Sequence, residues 1–209
     1  MSLAPKIDEV SCFVTEKSLD LACITETWLN DRISDSCLDI PGYNFVHKNR
    51  SVGSHGGVGV YIRNTIFYKP LNHLHHIDYE VLWVYVRPSR LPRGFSCLIL
   101  GVVYHPPNAN DDEMLQFLST SLITIESTYP GCGFILAGDF NRLKCNRILT
   151  QFSCKQIVNV STRANQTLDL IITNLHSFYD KNSVEKFPPF GLSDHNVVIV
   201  NPCKREVMQ

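Results

Sequence analysis

Two short polar clusters carry side chains that could bind a metal ion and move protons. Gly138-Asp139-Phe140-Asn141 follows the apolar run 134–137, and Leu192-Ser193-Asp194-His195-Asn196 precedes the run 197–200. Apolar runs of this length with polar boundaries predict buried strands. Converging carboxylates repel one another unless a cation or a proton intervenes. The two clusters therefore predict a site for a hard divalent metal ion and for proton transfer.

Asp139 and Asn141 are two positions apart, a spacing that puts both on one face of a strand. The aspartate could orient or deprotonate a water molecule, and the asparagine amide could donate a hydrogen bond to a phosphate oxygen. A plain turn explains the same residues equally well at this stage, because Gly, Asp and Asn are common in turns.

Asp194 places a carboxylate beside His195, the side chain type that changes charge near neutral pH. The alternative is a cap at the start of a strand, in which Ser193 or Asp194 binds local backbone N–H groups. Asp169 interrupts the apolar run 168–172. Because a buried aspartate needs a partner, we expect a histidine beside it.

Three further features lie at predicted strand ends. Glu26 ends the run 19–25 and, taken alone, resembles a solvated boundary residue. Tyr104 places a phenol at the end of the run 97–104, where an ordinary strand tyrosine is the alternative. Three basic residues follow the Asp139 strand and would suit phosphate contacts, although a solvated loop also explains them: Arg142, Lys144 and Arg147.

The elements that must position these side chains are mostly strands. Helical spacing is limited to residues 7–14 and to a segment that begins near Asn110, where Glu113 completes a capping box, and ends before Pro130. Apolar runs predict further strands at residues 43–46, 57–62 and 81–86. Many strands with few helices between them favour a layered α/β sandwich over a doubly wound parallel sheet.

Composition narrows the functional classes. The 209 residues suit one domain, and a net charge of −1 means that nucleic-acid contacts would rest on local basic patches. Eight cysteines without a C-x-x-C pair weaken a zinc interpretation. There is no leader-like start and no apolar run near the roughly 20 residues that span a bilayer. We therefore expect an intracellular protein, nuclear or cytoplasmic, that is neither secreted nor bound to a membrane.

Six segments, taken in order, resemble the apurinic/apyrimidinic-type endonuclease domain of non-LTR (LINE-type) retrotransposons, within the DNase I-like endonuclease/exonuclease/phosphatase superfamily. Any one of them is a weak signal, but six in the family's order are specific and span nearly the whole chain. The matching segments are Ile24-Thr25-Glu26-Thr27-Trp28-Leu29, Gly56-Gly57-Val58-Gly59-Val60-Tyr61, Val103-Tyr104-His105-Pro106-Pro107, Gly138-Asp139-Phe140-Asn141, Leu168-Asp169-Leu170-Ile171 and Ser193-Asp194-His195.

The resemblance implies an α/β four-layer sandwich of two packed mixed β-sheets flanked by helices. It also implies metal-dependent hydrolysis of a DNA phosphodiester, with a nick whose 3′-hydroxyl primes reverse transcription. Glu26 would ligate the metal, usually Mg²⁺ (or Mn²⁺), and Asp194 would contribute to the same metal site.

The same resemblance implies roles for the remaining polar residues. Asp139 would position or deprotonate the attacking water, while Asn141 and Tyr104 would hold the phosphate and its developing charge. His195, oriented by Asp169, would stabilise the transition state or assist proton transfer. Phosphoryl chemistry suits such a set, because positioning and charge neutralisation supply most of the acceleration.

Some positions depart from the family's pattern. Family members usually begin with a strand that ends in a metal-site Asn, whereas this chain starts at Met1, so we expect residues 1–209 to form one N-terminally truncated domain. His105 replaces a common Arg, and no reverse transcriptase follows Gln209. Two classes remain open: a DNA-nicking endonuclease, and a catalytically inactive remnant with at most weak nucleic-acid binding. A phosphatase or lipid phosphodiesterase is less favoured, because no lipid-facing apolar insertion is present.

Overall fold

The computed structural model describes residues 2–30, 32–51, 53, 55–179 and 181–203; Met1 and Gln209, which bound the predicted domain, lie outside these ranges. The strands are β1 (Leu21–Thr25), β2 (Tyr43–Lys48), β3 (Val58–Arg63), β4 (Phe67–Pro70), β5 (Glu80–Arg87), β6 (Leu98–Tyr104), β7 (Gly133–Asp139), β8 (Lys155–Gln156), β9 (Asp169–Thr173), β10 (Val184–Phe187) and β11 (Val197–Val200). The helices are α1 (Ile7–Glu16), α2 (Asp111–Thr128) and α3 (Asn146–Gln151), with 3-10 turns at Ala4–Lys6, Asp35–Leu38, Asn72–Leu74 and Lys181–Ser183.

The larger sheet has the order β4-β5-β6-β7-β9-β8. Its strands pair antiparallel except β6 and β7, which are parallel and joined by the crossover helix α2. Every residue of β6 is buried, because its side chains alternate between apolar clusters on the two faces of the sheet. The parallel pairing brings Tyr104 and Asp139, the last residues of β6 and β7, side by side at one edge.

A smaller sheet, β1-β3-β2, packs against the larger one through Val58, Val60 and Ile62 of β3. Its opposite face, with Ala22 and Tyr61, is covered by α1. Helix α2 covers the far face of the larger sheet, so the layers run α1, small sheet, large sheet, α2. The predicted α/β sandwich of two packed sheets flanked by helices is therefore confirmed.

The remaining strands β10 and β11 form a two-stranded antiparallel sheet. Among the described residues, β1 pairs along one side only, with β3. The expectation that a preceding strand is missing stays a prediction. No helix in the described ranges is both long and apolar enough to cross a bilayer.

The predicted start and end of α2 are confirmed. The Asn110 side chain accepts hydrogen bonds from the backbone N–H groups of Asp112 and Glu113, and its amide donates to the Glu113 carboxylate at 3.1 Å. The N-cap half of the predicted capping box is therefore present, while the Glu113 carboxylate accepts from the Asn110 side-chain amide and not from its backbone N–H. The helix ends at Thr128, before Pro130.

Candidate active site

The ends of several strands meet at one edge of the sandwich. Asp139, at the end of β7, lies between Tyr104 of β6 and Asp169 of β9 in the strand register. Glu26 follows directly on β1, and its carboxylate accepts a hydrogen bond from the Tyr104 hydroxyl. The loop before β11 supplies His195. The structure thus brings together six of the predicted site residues, Glu26, Tyr104, Asp139, Asn141, Asp169 and His195.

Asp139 is a buried carboxyl, with 5% of the residue exposed. Its Oδ1 accepts the Asn141 backbone N–H at 2.8 Å, while burial and the nearby Asp169 charge raise its pKa to about 6. The preceding Gly138 has φ +140°, and a Cβ there would lie 2.0 Å from the Val103 carbonyl oxygen. Only glycine lets β7 approach β6 this closely and place Asp139 at the edge.

Asn141 adopts a left-handed conformation with φ +48°, which asparagine tolerates better than most residues. Its Nδ2 donates to the His105 carbonyl at 2.8 Å and to Asp139 Oδ2 at 3.3 Å. Both N–H groups of the amide therefore point at protein acceptors. The predicted donation to a phosphate oxygen would require Asn141 to release one of these contacts, so that role stays a prediction.

His195 and Asp169 form a hydrogen-bonded pair, with Nδ1 2.8 Å from the carboxylate Oδ2. Burial alone would lower the pKa of His195, but the Asp169 hydrogen bond and charge outweigh it, so that the pKa lies above its usual value. The Asp169 backbone N–H is held by Thr162 Oγ1 at 3.1 Å, and the His195 N–H is held by Ser193 Oγ at 3.3 Å. The pair can therefore present a protonated imidazole in a fixed orientation.

Glu26 and Tyr104 form the second pair of the site. Burial, followed by the Glu26 hydrogen bond and charge, raises the Tyr104 pKa well above its usual range. Tyr104 is consequently a neutral hydroxyl donor at physiological pH. Glu26 lies in the left-handed region with φ +53°, and the backbone after it is held by Thr27 N–H to the Gly57 carbonyl at 3.2 Å.

The carboxylates of Asp139 and Asp169 are oxygen ligands of the kind that a hard divalent cation takes. Asp139, Asp169 and His195 each offer one ligand atom, and these atoms lie within 4.8 Å of one another. Burial is the largest cause of the raised pKa of Asp139 and the charge of Asp169 is the next, and a cation would relieve the repulsion between the two carboxylates.

The two residues predicted as metal ligands do not belong to that trio. Glu26 bonds to Tyr104, while Asp194 pairs with Arg163 at 2.5 Å and keeps 63% of its side chain exposed. Their ligand roles stay predictions.

The predicted nucleic-acid contacts lie directly after Asn141. All three residues are exposed: Arg142 and Lys144 lie in the segment between β7 and α3, and Arg147 lies in the first turn of α3. No ion pair within the described ranges engages them, so their charges face solvent beside the site. This arrangement is compatible with phosphate contacts, which stay a prediction.

Four residues that support the site escaped the sequence reasoning. Thr162 is fully buried and holds the start of β9, and Arg163 neutralises Asp194. Buried Glu80, the register neighbour of Tyr104, accepts a hydrogen bond from Arg50 Nε at 2.8 Å. These contacts join segments far apart in the chain, so no local spacing could have indicated them.

His105, where the family commonly has Arg, is part of the framework. Its ring Nε2 lies 2.7 Å from Asp111 Oδ1 at the start of α2. Its backbone N–H donates to the Asp139 carbonyl, and its carbonyl accepts from Asn141. The departure therefore lies beneath the edge that carries Asp139 and Asn141, in a fully buried position.

The profile of the endonuclease/exonuclease/phosphatase family matches residues 3–195 of the sequence. The chain therefore belongs to this family, and the predicted DNase I-like superfamily is confirmed. No curated protein matches the chain significantly.

Three solved structures illustrate the likeness in fold. The endonuclease domain of TRAS1, a telomere-specific non-LTR retrotransposon, is 11% identical, with a TM-score of 0.72 over 96% of this chain and 94% of that one. The 3′ phosphatase NExo from Neisseria, bound to a product DNA hairpin, is 12% identical, with a TM-score of 0.68 over 97% and 96%. An AP endonuclease from Archaeoglobus fulgidus is 12% identical, with a TM-score of 0.66 over 96% and 95%. At these identities the likeness shows the fold.

Proposed function

We propose that this domain is a metal-dependent phosphodiesterase that nicks DNA, of the kind found in LINE-type retrotransposons. The observation that carries the proposal is the convergence of Asp139, Asn141 and the His195–Asp169 pair at one edge of the two sheets. Membership of the endonuclease/exonuclease/phosphatase family supports hydrolysis of a phosphate ester. The nick would supply the 3′-hydroxyl that a reverse transcriptase elsewhere in such an element extends.

The side chains divide the chemistry between them. Asp139, with a pKa of about 6, is ionised near neutral pH yet basic enough to take a proton from an attacking water. His195, whose pKa is raised by the hydrogen bond and charge of Asp169, donates in its protonated form toward the charge that develops on the phosphate oxygens. Tyr104 adds a neutral hydroxyl donor. A divalent cation held by Glu26 and Asp194, when bound, would neutralise part of the phosphate charge.

The direct test is nicking of supercoiled plasmid in Mg²⁺, with chelator as the blank. Asp139→Ala and His195→Ala should each lower the rate at least about 10²-fold, the scale of a general acid–base group or electrostatic donor. His73→Ala, at an exposed histidine outside the cluster, is the matched control and should leave nicking unchanged. Nicking that persists in Asp139→Ala would contradict the proposal.

The second candidate is an inactive remnant of this fold. It is favoured by the Asp194 carboxylate, which is already neutralised by Arg163. Calorimetry of Mg²⁺ binding separates the two candidates, because an intact site should lose affinity in Glu26→Gln. Equal Mg²⁺ affinity in the wild type and in Glu26→Gln would remove Glu26 from the proposed metal ligands. A folded protein without nicking activity would establish the remnant.

A further inference from the structure

Glu80 is a buried carboxylate that lies beside the candidate active site and takes no part in the chemistry proposed above. It begins β5, and the strand register places it opposite Tyr104, the last residue of β6. Only 8% of the residue is exposed. A buried charge lowers stability unless it is paired and hydrogen-bonded, so the contacts of this carboxylate indicate which parts of the protein it holds in place.

One oxygen of the carboxylate holds the glycine pair, Gly56 and Gly57, that leads into β3. Glu80 Oε2 accepts the backbone N–H of Gly57. The carboxylate fits here only because residue 56 is glycine: Gly56 has φ +110°, and a Cβ there would lie 2.6 Å from Arg50 Nε and closer still to Glu80 Oε2. The buried carboxylate therefore fixes the position of the glycine pair.

The glycine pair holds the backbone that carries Glu26. The Gly57 carbonyl accepts the Thr27 N–H at 3.2 Å, and the Gly56 carbonyl accepts the Trp28 N–H at 2.8 Å. Both Glu26 and Trp28 adopt the left-handed conformation, which is unfavourable for residues that carry a Cβ. A segment of this kind keeps its conformation only where neighbouring contacts impose it. The glycine pair supplies such contacts.

The other oxygen of the carboxylate holds Arg50 over the Tyr104 ring. Glu80 Oε1 accepts hydrogen bonds from Arg50 Nε at 2.8 Å and from Arg50 Nη2. The guanidinium carbon lies 5.9 Å from the centroid of the Tyr104 ring, within the range of a cation–π contact. The Tyr104 hydroxyl donates to the Glu26 carboxylate. Glu80 thus reaches both members of this pair, one through the glycine pair and the other through the guanidinium.

We propose that Glu80 is a positioning residue that sets the separation and orientation of Glu26 and Tyr104. The proposal rests on the proposed nicking function, and it adds a residue that acts on the site only through its neighbours. A displacement of about 1 Å in a reacting group costs on the order of 10²-fold in rate, and loss of a residue that orients a metal ligand costs about 10–100-fold. Glu80 therefore acts on turnover without contact with the substrate.

A carboxylate that only stabilised the fold would behave differently. Breaking a buried ion pair of that kind lowers the stability of the whole domain and leaves the site of the folded molecules as it was. A positioning carboxylate instead changes the segment that follows β1 in molecules that remain folded. The two tryptophans of the chain distinguish these cases, because Trp28 lies in that segment and Trp83 is fully buried within β5.

The test uses the whole chain labelled with fluorotryptophan and records fluorine NMR spectra in chelator, with Trp83→Phe to assign the two signals. Glu80→Gln keeps the shape of the side chain but replaces one acceptor oxygen by an NH₂ group, which cannot accept from either of its partners. The Trp28 signal should shift or broaden in Glu80→Gln, while the Trp83 signal keeps its wild-type position. Glu126→Gln, the same change at an exposed glutamate of α2, is the control and should leave both signals unchanged.

A second measurement connects this geometry to nicking. In Mg²⁺, Glu80→Gln should lower the kcat for nicking of supercoiled plasmid at least about tenfold and change KM by less than about threefold, because buried Glu80 is shielded from the DNA. Arg50→Lys keeps a cation but loses the forked contact with Glu80, so its kcat should fall as well. This variant decides the question if Glu80→Gln does not fold.

Three results would overturn the assignment of Glu80 as a positioning residue: an unchanged Trp28 signal in folded Glu80→Gln, equal shifts of the two tryptophan signals, or a wild-type kcat in the variants. If the wild type itself does not nick, the nuclease proposal fails. The fluorine spectra then still decide whether Glu80 holds the segment that carries Glu26.

Discussion

Replacing Asp139 by asparagine should make the protein more stable at neutral pH while it removes the proposed activity. Asp139 is buried next to Asp169, and its ionised form is therefore disfavoured in the folded chain. Asparagine has the same shape, carries no charge, and can still accept the Asn141 backbone N–H at the Oδ1 position. The substitution thus removes the electrostatic cost and keeps most of the local packing.

The expected gain follows from the pKa of Asp139. A change from the ordinary value of 3.8 to about 6 corresponds to ~3 kcal/mol above both values. The new amide cannot accept the Asn141 Nδ2 hydrogen bond, which costs about 1 kcal/mol. The net expectation is a stabilisation of about 2 kcal/mol, or roughly 4–8 °C in Tm for a chain of this size.

The pH dependence gives the sharper test. Between its unfolded and folded pKa values, the folded protein retains a proton on Asp139 that the unfolded chain has released, so its stability falls as pH rises through this window. Urea unfolding in chelator should therefore show a net gain at pH 5 that is roughly a third of the gain at pH 7.5. Asp39→Asn, at an exposed aspartate, should change stability by less than ~0.5 kcal/mol. An Asp139→Asn gain that is equal at both pH values, or a loss, would refute the reasoning.

Two further perturbations probe the frame of the site. Asp169→Asn removes the charged partner of His195, so NMR titration should show the His195 pKa falling; an unchanged value would show that the pair is electrostatically unimportant. Gly138→Ala should cost more than ~3 kcal/mol in urea unfolding, because its Cβ would meet the Val103 carbonyl at 2.0 Å. Gly42→Ala, with φ +85° and open space around it, should cost only about 1 kcal/mol, and equal losses at both glycines would contradict the steric argument.

The sequence predicts well those features that depend on local pattern. Apolar runs locate the long strands, and the capping residues locate α2, because burial and hydrogen bonding act over a few neighbouring residues there. The interruption of an apolar run by Asp169 indicates a buried acid in need of a partner, and the structure shows His195 at that place. Short edge strands such as β4 and β8 lack a run long enough to be recognised.

The residues Gly138–Asn141 show a second reason why the sequence alone does not predict the whole site. Asp139 is the last residue of β7, whereas Asn141 lies in a left-handed turn, so both interpretations of the cluster describe part of it. The pairing of Asp194 with Arg163 was equally inaccessible, because the two residues are 31 positions apart and meet only through the tertiary fold. Contacts of this kind determine the electrostatics of the site, and no regular spacing of residues in the sequence indicates them.

The left-handed backbone at Glu26 has a consequence for the residues that position 26 can accept. Glu26 and Trp28 both have φ +53°, a conformation that costs a residue with a Cβ about 1–2 kcal/mol. Glycine at position 26 would relax that strain, but it would also remove the carboxylate that accepts the hydrogen bond of the Tyr104 hydroxyl. Backbone strain and the Tyr104 contact therefore act in opposite directions on the stability of any substitution at this position.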